Sequence, residues 1–223
     1  MVSGWRSSRV TVSRSRPRPP PAAARERSAV GVTADATSAA ELARALREVE
    51  AELGPVDLLV PFAGGFLART PVPEISEEEW RRTLDACLTS TFLTCAVFLP
   101  WMIERRRGVV LTMSSSIGRI VDEPVTASYA AARGAVVAFT PHLALELGPL
   151  GIRANCIAPA TVLSERVDAA LPQSLRDHLA AISPLGRLGT PDDVARAALF
   201  LLSDSAAWLT GVTMDVAGGR IML

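Results

Sequence analysis

The chain has 223 residues, and its 23 basic and 23 acidic residues give a formal net charge of zero. That balance removes any general attraction to nucleic acid or to acidic membranes. Every basic residue is an arginine, so chemistry that requires a lysine is excluded. The length suits one domain, and the apolar fraction is ordinary for a globular protein.

The first 28 residues form an Arg/Pro-rich N-terminal segment with seven arginines and a single acid, Glu26. Arg9–Ser13 alternates in polarity and predicts a possible short strand. The residues after it, rich in Pro, Ala and Arg, could form a short helix. The alternatives are a transit peptide and a nucleic-acid-binding tail. Trp5 is the only aromatic residue of the segment, which counts against nucleic-acid binding. We expect no nucleic-acid partner.

Residues 29–223 are predicted to form one α/β domain, because short apolar runs alternate with long helical patterns. The first strand covers 30–33, and Ser38 with Glu41 forms a capping box for a helix that ends near Leu53. Val56–Val60 is apolar apart from one acid, which is typical of a strand buried on both faces.

The same alternation continues to the C-terminus. Ser76 and Glu79 form a second capping box, which begins a long helix to about Glu104. Thr190 caps the last helix. The remaining predicted elements are strands at 108–113, 152–157 and 212–216, and helices at 128–147 and 191–202.

The three cysteines, Cys87, Cys95 and Cys156, are far apart and have no metal-ligand spacing. We therefore expect reduced, buried thiols, no metal site and a cytoplasmic protein. The longest apolar run, about 92–103, contains Pro100, which should break it and leave it too short to span a bilayer. No membrane partner is expected.

Several motifs resemble those of the short-chain dehydrogenase/reductase family. In chain order they are Asp35, which matches the acid after the family's third strand, the strand that ends in Ala63-Gly64, the triple serine 114–116 with Gly118, Tyr129-Ala130-Ala131-Ala132-Arg133, Gly151–Pro159, Pro184–Pro191 and Asp215–Gly219. Their order and spacing carry the resemblance. It implies a Rossmann-type, doubly wound parallel sheet with ligands beyond the carboxyl ends of its strands.

The resemblance also implies an oxidoreductase site for a small carbonyl or alcohol. Ser115, with Ser116 as the alternative, would hydrogen-bond the substrate oxygen. Tyr129 would exchange the proton, and a free tyrosine with a pKa near ~10 needs a neighbouring cation to do so near neutrality. Arg133 stands where the family has a lysine, and i, i+4 spacing puts it on the same helix face as Tyr129.

The cofactor implied is NAD(P)(H). The strand near Ser13 is followed by Arg14 and Arg16 rather than by an acid, so NADP(H) is favoured over NAD(H). Asp35 could equally be a helix-entry residue, and Arg14 one more charge in a basic tail. The implied cofactor contacts are Arg14, Asp35, Ala36, Ala63, Gly64, Tyr129, Arg133, Pro159 and Val162.

The sequence departs from the family pattern at several places. The first strand and the Thr-Gly-x-x-x-Gly-x-Gly loop, which would bring backbone amides to a pyrophosphate, are not found in it. Cys87 and Phe62 replace asparagines, and Ala160 replaces a glycine. Pro61 lies at the end of a predicted strand, and Pro141 lies inside a predicted helix. We expect little or no carbonyl reduction. Either a true start lies upstream, or the chain is an inactive scaffold or binding subunit.

Two long helices, at about 76–104 and 128–147, and the last strand are the surfaces through which family members commonly assemble. The resemblance therefore implies a homodimer or a homotetramer. The stretch 160–185 and the loop 118–127 would line the substrate pocket and are mostly apolar, which suits a small hydrophobic substrate without selecting one.

Overall fold

The computed structural model describes residues 9–13, 29–65, 69–120, 125–165, 167 and 171–222. Its strands are β1 (Arg9–Ser13), β2 (Ala29–Thr33), β3 (Leu58–Leu59), β4 (Gly108–Met113), β5 (Ile152–Pro159) and β6 (Thr213–Val216). Its α-helices are α1 (Ala39–Leu53), α2 (Glu77–Leu84), α3 (Ser90–Glu104), α4 (Ala127–Leu147), α5 (Gln173–Ala181) and α6 (Pro191–Leu202).

Four strands form the predicted parallel sheet, in the order β3-β4-β5-β6. The register pairs Gly108 with Ile152, so β4 and β5 begin side by side. Helices connect the successive strands, and the carboxyl ends therefore all meet at one edge. This confirms the predicted α/β class and places the chain segments after β4, β5 and β6 at the edge where ligands bind in such folds.

The predicted N-terminal strand is present as β1, which pairs antiparallel with β2 in a separate two-stranded ribbon. Arg9 lies opposite Thr33 and Ser13 opposite Ala29. The ribbon joins residues from both sides of the predicted boundary at residue 28, and the division of the chain there stays a prediction. The short helix suggested after Ser13 falls in 14–28, outside the described residues.

Strand β3 is shorter than the predicted Val56–Val60. Among the described strands it has a neighbour on one side only, and Pro61 has no N–H with which to extend the ladder. The Asp57 carbonyl still accepts a hydrogen bond of 2.9 Å from the Val109 N–H. Pairing therefore reaches little beyond the two leucines of β3.

A single helical rod runs from Glu77 to Glu104 and consists of α2, a π-helical turn at Asp85–Thr89, and α3. The Ser76 hydroxyl caps it by accepting from the Glu79 N–H at 3.1 Å. Pro100 does not end α3, which corrects the expectation that it breaks the apolar run. Pro141 is likewise contained within α4.

By length and composition alone, the rod Glu77–Glu104 could cross a membrane. Within its most apolar window 39% of the residues are buried inside the protein. Phe98 and Met102 of α3 are buried in the same core as helix α1 and strand β4. A core helix passes the same test, and the packing of α3 is that of a core helix.

Neighbouring residues of β4 point to opposite faces of the sheet, and each face carries its own core. Val110 belongs to the cluster that contains Leu42 and Phe98, which joins β2, α1 and α3. Leu111 belongs to the cluster that contains Leu201 of α6. Helices therefore cover both faces of the parallel sheet, as predicted for a doubly wound fold.

Of the three predicted capping residues, Ser38, Ser76 and Thr190, only Thr190 takes part in a complete capping box; the predicted box at Ser76 has only the bond from the Glu79 N–H. Thr190 and Asp193 form a complete capping box at α6. At α1 the Ser38 hydroxyl accepts from the Glu41 N–H, but the Glu41 carboxylate accepts from the Asp35 N–H at 2.8 Å. The predicted capping box at Ser38 is therefore only half formed, because Ser38 N–H donates instead to the Asp35 carbonyl.

All three cysteines are free and buried. Burial raises the pKa of the Cys95 thiol to about 12 and raises that of Cys156 as well. Neutral, buried thiols are poor nucleophiles and poor metal ligands. The described residues contain no group of three His, Cys, Asp or Glu side chains that could hold a metal ion.

Candidate active site

The serine turn follows directly on β4. The Ser114 N–H donates to the Ile157 carbonyl of β5 at 2.8 Å, which fixes the point where the strand ends. Ser114 and Ser116 are buried, whereas Ser115 is partly exposed and caps the short helix Ser116–Gly118. Of the three hydroxyls, that of Ser115 is the most accessible at the carboxyl edge of the sheet.

Tyr129 lies in the first turn of α4, where its N–H donates to the Thr126 carbonyl at 3.1 Å. The hydroxyls of Thr126 and Ser128 are buried and lie 2.6 Å apart, which ties the start of the helix together. The Arg133 guanidinium carbon lies 5.3 Å from the centroid of the Tyr129 ring. The predicted tyrosine and cation are therefore neighbours on one helix face.

The Arg133 side chain is 97% buried, since its exposed fraction is only 3%. Its Nη1 donates to the Met113 carbonyl at 2.7 Å, and its Nη2 faces Gly64. Its Nε is buried and has no partner among the described residues. Arg133 thus holds α4 against the end of β4, with its positive charge against the face of the Tyr129 ring.

Gly64 has a φ of +113°, a backbone conformation that residues other than glycine rarely adopt. A Cβ there would lie 2.7 Å from the Ala86 carbonyl oxygen and 3.1 Å from the Cys87 Cα. The Cys87 thiol donates to the Gly65 carbonyl at 3.5 Å. The loop after β3 is therefore packed directly on the π-helical turn.

The π-helical turn was not predicted from the sequence. Such turns insert one extra residue into a helix and are frequent at functional sites. Here the turn contains Cys87, the residue at the position of a family asparagine. Its thiol reaches the Gly65 carbonyl in the loop after β3. Nothing in the residues Asp85–Thr89 distinguishes them from an ordinary helical segment.

Asp35 and Ala36 lie after β2, at the start of α1. The Asp35 carboxylate accepts from the Thr37 hydroxyl at 2.7 Å and from the Thr37 N–H at 2.8 Å, and these bonds lower the pKa of Asp35. Asp35 is exposed and Ala36 is buried. This geometry is that of a helix-entry residue, and the exposed carboxylate keeps acceptor capacity for a ligand.

The other predicted contacts are dispersed. Pro159 ends β5, and Val162 forms a bridge with Gly189. Arg14 lies outside the described residues, as do 121–124 of the predicted pocket loop. The structure therefore brings Tyr129, Arg133 and Gly64 together beside the serine turn, and places the remaining described contacts at other strand ends.

An ion pair near the serine turn was also missed. Arg119 follows the Ser116–Gly118 helix, and its guanidinium makes two hydrogen bonds of 3.2 Å to the Asp215 carboxylate on β6. Both side chains are largely buried, with exposed fractions of 22% and 16%. The partners are 96 residues apart in the chain, so no local pattern could indicate the pair.

A cavity of about 780 Å³ opens at the opposite edge of the sheet, where β3, β4 and β5 begin. Its lining includes Gly108, Ile152 and the fully exposed Trp208. Tyr129, Arg133 and the serine turn do not contribute to it. We place the chemistry at the carboxyl edge because the reactive side chains converge there and ligands of open α/β sheets bind at that edge.

A doubly wound α/β sheet with a tyrosine, an adjacent cation and a serine turn at its carboxyl edge defines a Rossmann-type dehydrogenase architecture. Comparison with known proteins agrees with this class. A family model described as enoyl-(acyl carrier protein) reductase matches residues 10–220. The chain belongs to the short-chain dehydrogenase/reductase family.

Several relatives extend the comparison. "Inactive 2-(S)-hydroxypropyl-CoM dehydrogenase 2" of Xanthobacter autotrophicus is 41% identical over 199 residues, which cover 86% of this chain and 85% of the relative. The 3-oxoacyl-[acyl-carrier-protein] reductase FabG of Chlamydia muridarum is 36% identical over 169 residues, covering 76% of this chain and 67% of the relative.

A solved structure is similar in fold and sequence. It is a 3-oxoacyl-[acyl-carrier protein] reductase with bound NAD from Brucella melitensis, with a TM-score of 0.77 and 36% identity. The match covers 86% of this chain and 71% of the reductase. The chain therefore resembles NAD(P)(H)-dependent oxidoreductases of its family in fold and in sequence.

Proposed function

We propose that the chain is an NAD(P)(H)-dependent oxidoreductase that interconverts a small carbonyl compound and its alcohol. The observation that carries the proposal is the contact between Tyr129 and Arg133 beside the serine turn. A phenol next to a buried cation and a hydroxyl can exchange a proton with a carbonyl oxygen and bind that oxygen at the same time.

A nicotinamide cofactor, when bound, would supply or accept the hydride. The Ser115 hydroxyl hydrogen-bonds the substrate oxygen and orients it. The Tyr129 hydroxyl donates the proton during reduction and accepts it during oxidation. Arg133 keeps its guanidinium against the Tyr129 ring while the proton moves.

The residues present are compatible with such a cofactor. The buried Arg133 Nε has no partner among the described residues, and the Nη2 of the same side chain faces the loop at Gly64. The exposed Asp35 carboxylate has acceptor capacity for an adenine or ribose group. We assign Asp35, Ala36, Ala63, Gly64, Pro159 and Val162, with Tyr129 and Arg133, as the residues that would hold it.

A second candidate is an inactive binding subunit. Arg133 is held by the Met113 carbonyl, and an arginine cannot pass on a proton as a lysine can. The name of one relative, "Inactive 2-(S)-hydroxypropyl-CoM dehydrogenase 2", indicates that related chains can lose activity. In this alternative the site binds a small molecule without turning it over.

Turnover separates the two candidates. The completed variant is the chain with Arg133→Lys and with the strand–glycine loop–helix unit of a relative joined before Arg9. We expect it to oxidise NADPH with at least one member of a broad panel of small ketones and aldehydes. The same protein with Arg133 retained should be slower, because lysine restores the proton path while keeping the charge. Tight NADPH binding without turnover on the whole panel would favour the inactive subunit.

We propose NADP(H) as the preferred cofactor, with Arg14 on the 2′-phosphate. In a fluorescence titration of the completed variant, NADPH should bind more tightly than NADH, and Arg14→Ala should remove most of that preference. Loss of one charge-assisted contact is worth about 1.5–3 kcal/mol, or at least about tenfold in affinity. Tighter NADH binding, or indifference to Arg14→Ala, would reject the assignment.

We also propose that the protein is cytoplasmic and forms a homodimer or homotetramer. Support comes from apolar side chains left exposed on α3 and α4. Phe92 is 50% exposed and makes an edge-to-face contact with Phe139, and Leu145 is 75% exposed. Light scattering should give twice or four times the chain mass of 23.6 kDa. A stable monomer at micromolar concentration would contradict this.

A further inference from the structure

Two hydrogen bonds, one buried and one partly buried, join the end of β4 to a single residue of α4. The Ser114 hydroxyl donates to the Arg133 carbonyl at 2.7 Å. In the opposite direction, Arg133 Nη1 donates to the Met113 carbonyl, also at 2.7 Å. We call these two bonds, with their three residues, the strand–helix joint.

Gly118 packs directly against the strand–helix joint. A Cβ at Gly118 would lie 2.7 Å from the Ser114 Oγ and 2.8 Å from the Arg133 carbonyl oxygen. No side chain fits there without displacing backbone atoms. The spacing Ser114-x-x-x-Gly118 therefore follows from geometry, because the turn must pass directly over the hydrogen bond that Ser114 makes.

The Ser114 hydroxyl has one proton to donate, and the distances show that it donates it to the Arg133 carbonyl. The Arg133 carbonyl lies at 2.7 Å, whereas the Ser115 carbonyl lies at 3.5 Å. A helix carbonyl has two lone pairs, so this one can accept from a side chain and still serve its own helix. The bond is buried, and its loss would leave an interior contact that water does not readily replace.

We propose that Ser114 is a positioning residue that sets the separation between Ser115 and Tyr129. Ser115 is the next residue along the chain, and Tyr129 lies one helical turn before Arg133. A hydrogen bond between Ser114 and Arg133 therefore fixes the relative placement of the two reactive hydroxyls. Its consequence for turnover rests on the proposed function.

The test uses the fact that Tyr129 is the only tyrosine of the chain. Labelling with 3-fluorotyrosine therefore gives one protein ¹⁹F resonance, which reports the surroundings of that ring with no need for activity. We expect Ser114→Ala to shift or broaden this resonance by more than its linewidth, because only one of the two hydrogen bonds that hold Arg133 and the preceding helical turn to β4 remains.

The matched control is Thr140→Val. The Thr140 and Thr112 hydroxyls lie 2.7 Å apart and are buried, so this variant also removes a hydrogen bond between β4 and α4. Thr140 lies three turns beyond Tyr129 on the same helix. Both variants should lower the melting temperature, but Thr140→Val should leave the ¹⁹F resonance unchanged. An unchanged resonance in Ser114→Ala, or equal shifts in both variants, would overturn the proposal.

A second, milder variant keeps the test possible if Ser114→Ala does not fold. Ser114→Cys keeps the volume and a weaker S–H donor, and it should shift the resonance in the same direction by less. In the completed variant, Ser114→Ala should lower kcat about tenfold or more with little change in KM, since displacement of a reactive group by about 1 Å can cost 10²-fold. If no carbonyl is reduced, the proposed function fails, and the ¹⁹F comparison still decides the role of Ser114.

Discussion

Tyr129→Phe should abolish carbonyl reduction by the completed variant, with a loss of at least about 100-fold in kcat. Proton transfer by a positioned side chain contributes about 10²–10⁴-fold. Phenylalanine removes the proton and keeps the ring, which in the unsubstituted chain packs against residue 133 and in the completed variant faces the lysine at that position. Affinity for the reduced cofactor should stay within about twofold, because the ring contact remains. Steady-state kinetics and a fluorescence titration on the same preparation measure both quantities.

The serine variants define the limits of that prediction. Ser115→Ala should slow turnover strongly, whereas the buried Ser116 should tolerate alanine because its hydroxyl faces the interior. If Ser116→Ala is the severe variant and Ser115→Ala is harmless, the substrate-binding role passes to the alternative serine. If Tyr129→Phe retains more than a tenth of the activity, the proton comes from another group and the mechanism is wrong.

Asn155→Leu should be the most destabilising single substitution proposed for this chain, with a loss of about 3 kcal/mol in the free energy of unfolding. Asn155 is fully buried in β5; its Nδ2 donates to the Leu209 carbonyl at 2.8 Å, and its Oδ1 accepts from the Val212 N–H at 3.2 Å. Leucine would leave the Val212 N–H without this partner and the Leu209 carbonyl with only its 3.2 Å bond from Arg153 Nη1. An interior polar group that loses its partner costs about 1–3 kcal/mol.

Gln173→Leu is the matched control, since it makes the same amide-to-apolar change at an exposed position. Gln173 Nε2 donates to the Asp177 carboxylate at 2.7 Å on the surface of α5. Its effect should stay within about 0.5 kcal/mol. Chemical denaturation followed by circular dichroism measures the free energy of unfolding of both variants. Equal losses would contradict the prediction, because they would mean that the backbone groups bonded to Asn155 find water or other partners.

The elements that were predicted well are those with local signals. Apolar runs bounded by glycine and proline located β4, β5 and β6, and Thr190 followed by Pro191 located the start of α6. Such signals act within a few residues, and hydrophobic burial reinforces them along each element. The parallel order of the sheet then followed from the alternation of strands with long helices.

The features that were missed depend on neighbours that are distant in the sequence. The pairing of Arg119 with Asp215 requires β4 and β6 to be placed first. The inward direction of the Arg133 side chain is set by the Met113 carbonyl, which α4 meets only in the folded chain. Composition cannot separate an arginine that faces a ligand from one that holds a helix to a strand.

Within the candidate site, the sequence put Tyr129 and Arg133 on one helix face, where the structure has them, and favoured Ser115 without excluding Ser116. Three consecutive serines are chemically identical on paper. Only the burial of Ser114 and Ser116 and the partial exposure of Ser115 distinguish them. That difference arises because the chain turns sharply after β4, and the turn depends on contact between Gly118 and the helix backbone.

The π-helical turn at Asp85–Thr89 also determines where the length of the long helix can change. Each residue of an α-helix advances by about 100°, so a one-residue deletion at 95–97 would rotate either Phe98 or the preceding turns out of register with the core. A deletion within Asp85–Thr89 would convert the wide turn to α geometry and leave both flanks facing as before. Phe98 and Met102 would stay buried, while the contact between Cys87 and Gly65 would be lost. A scan of single-residue deletions along 77–104 should therefore find its tolerated positions at this turn.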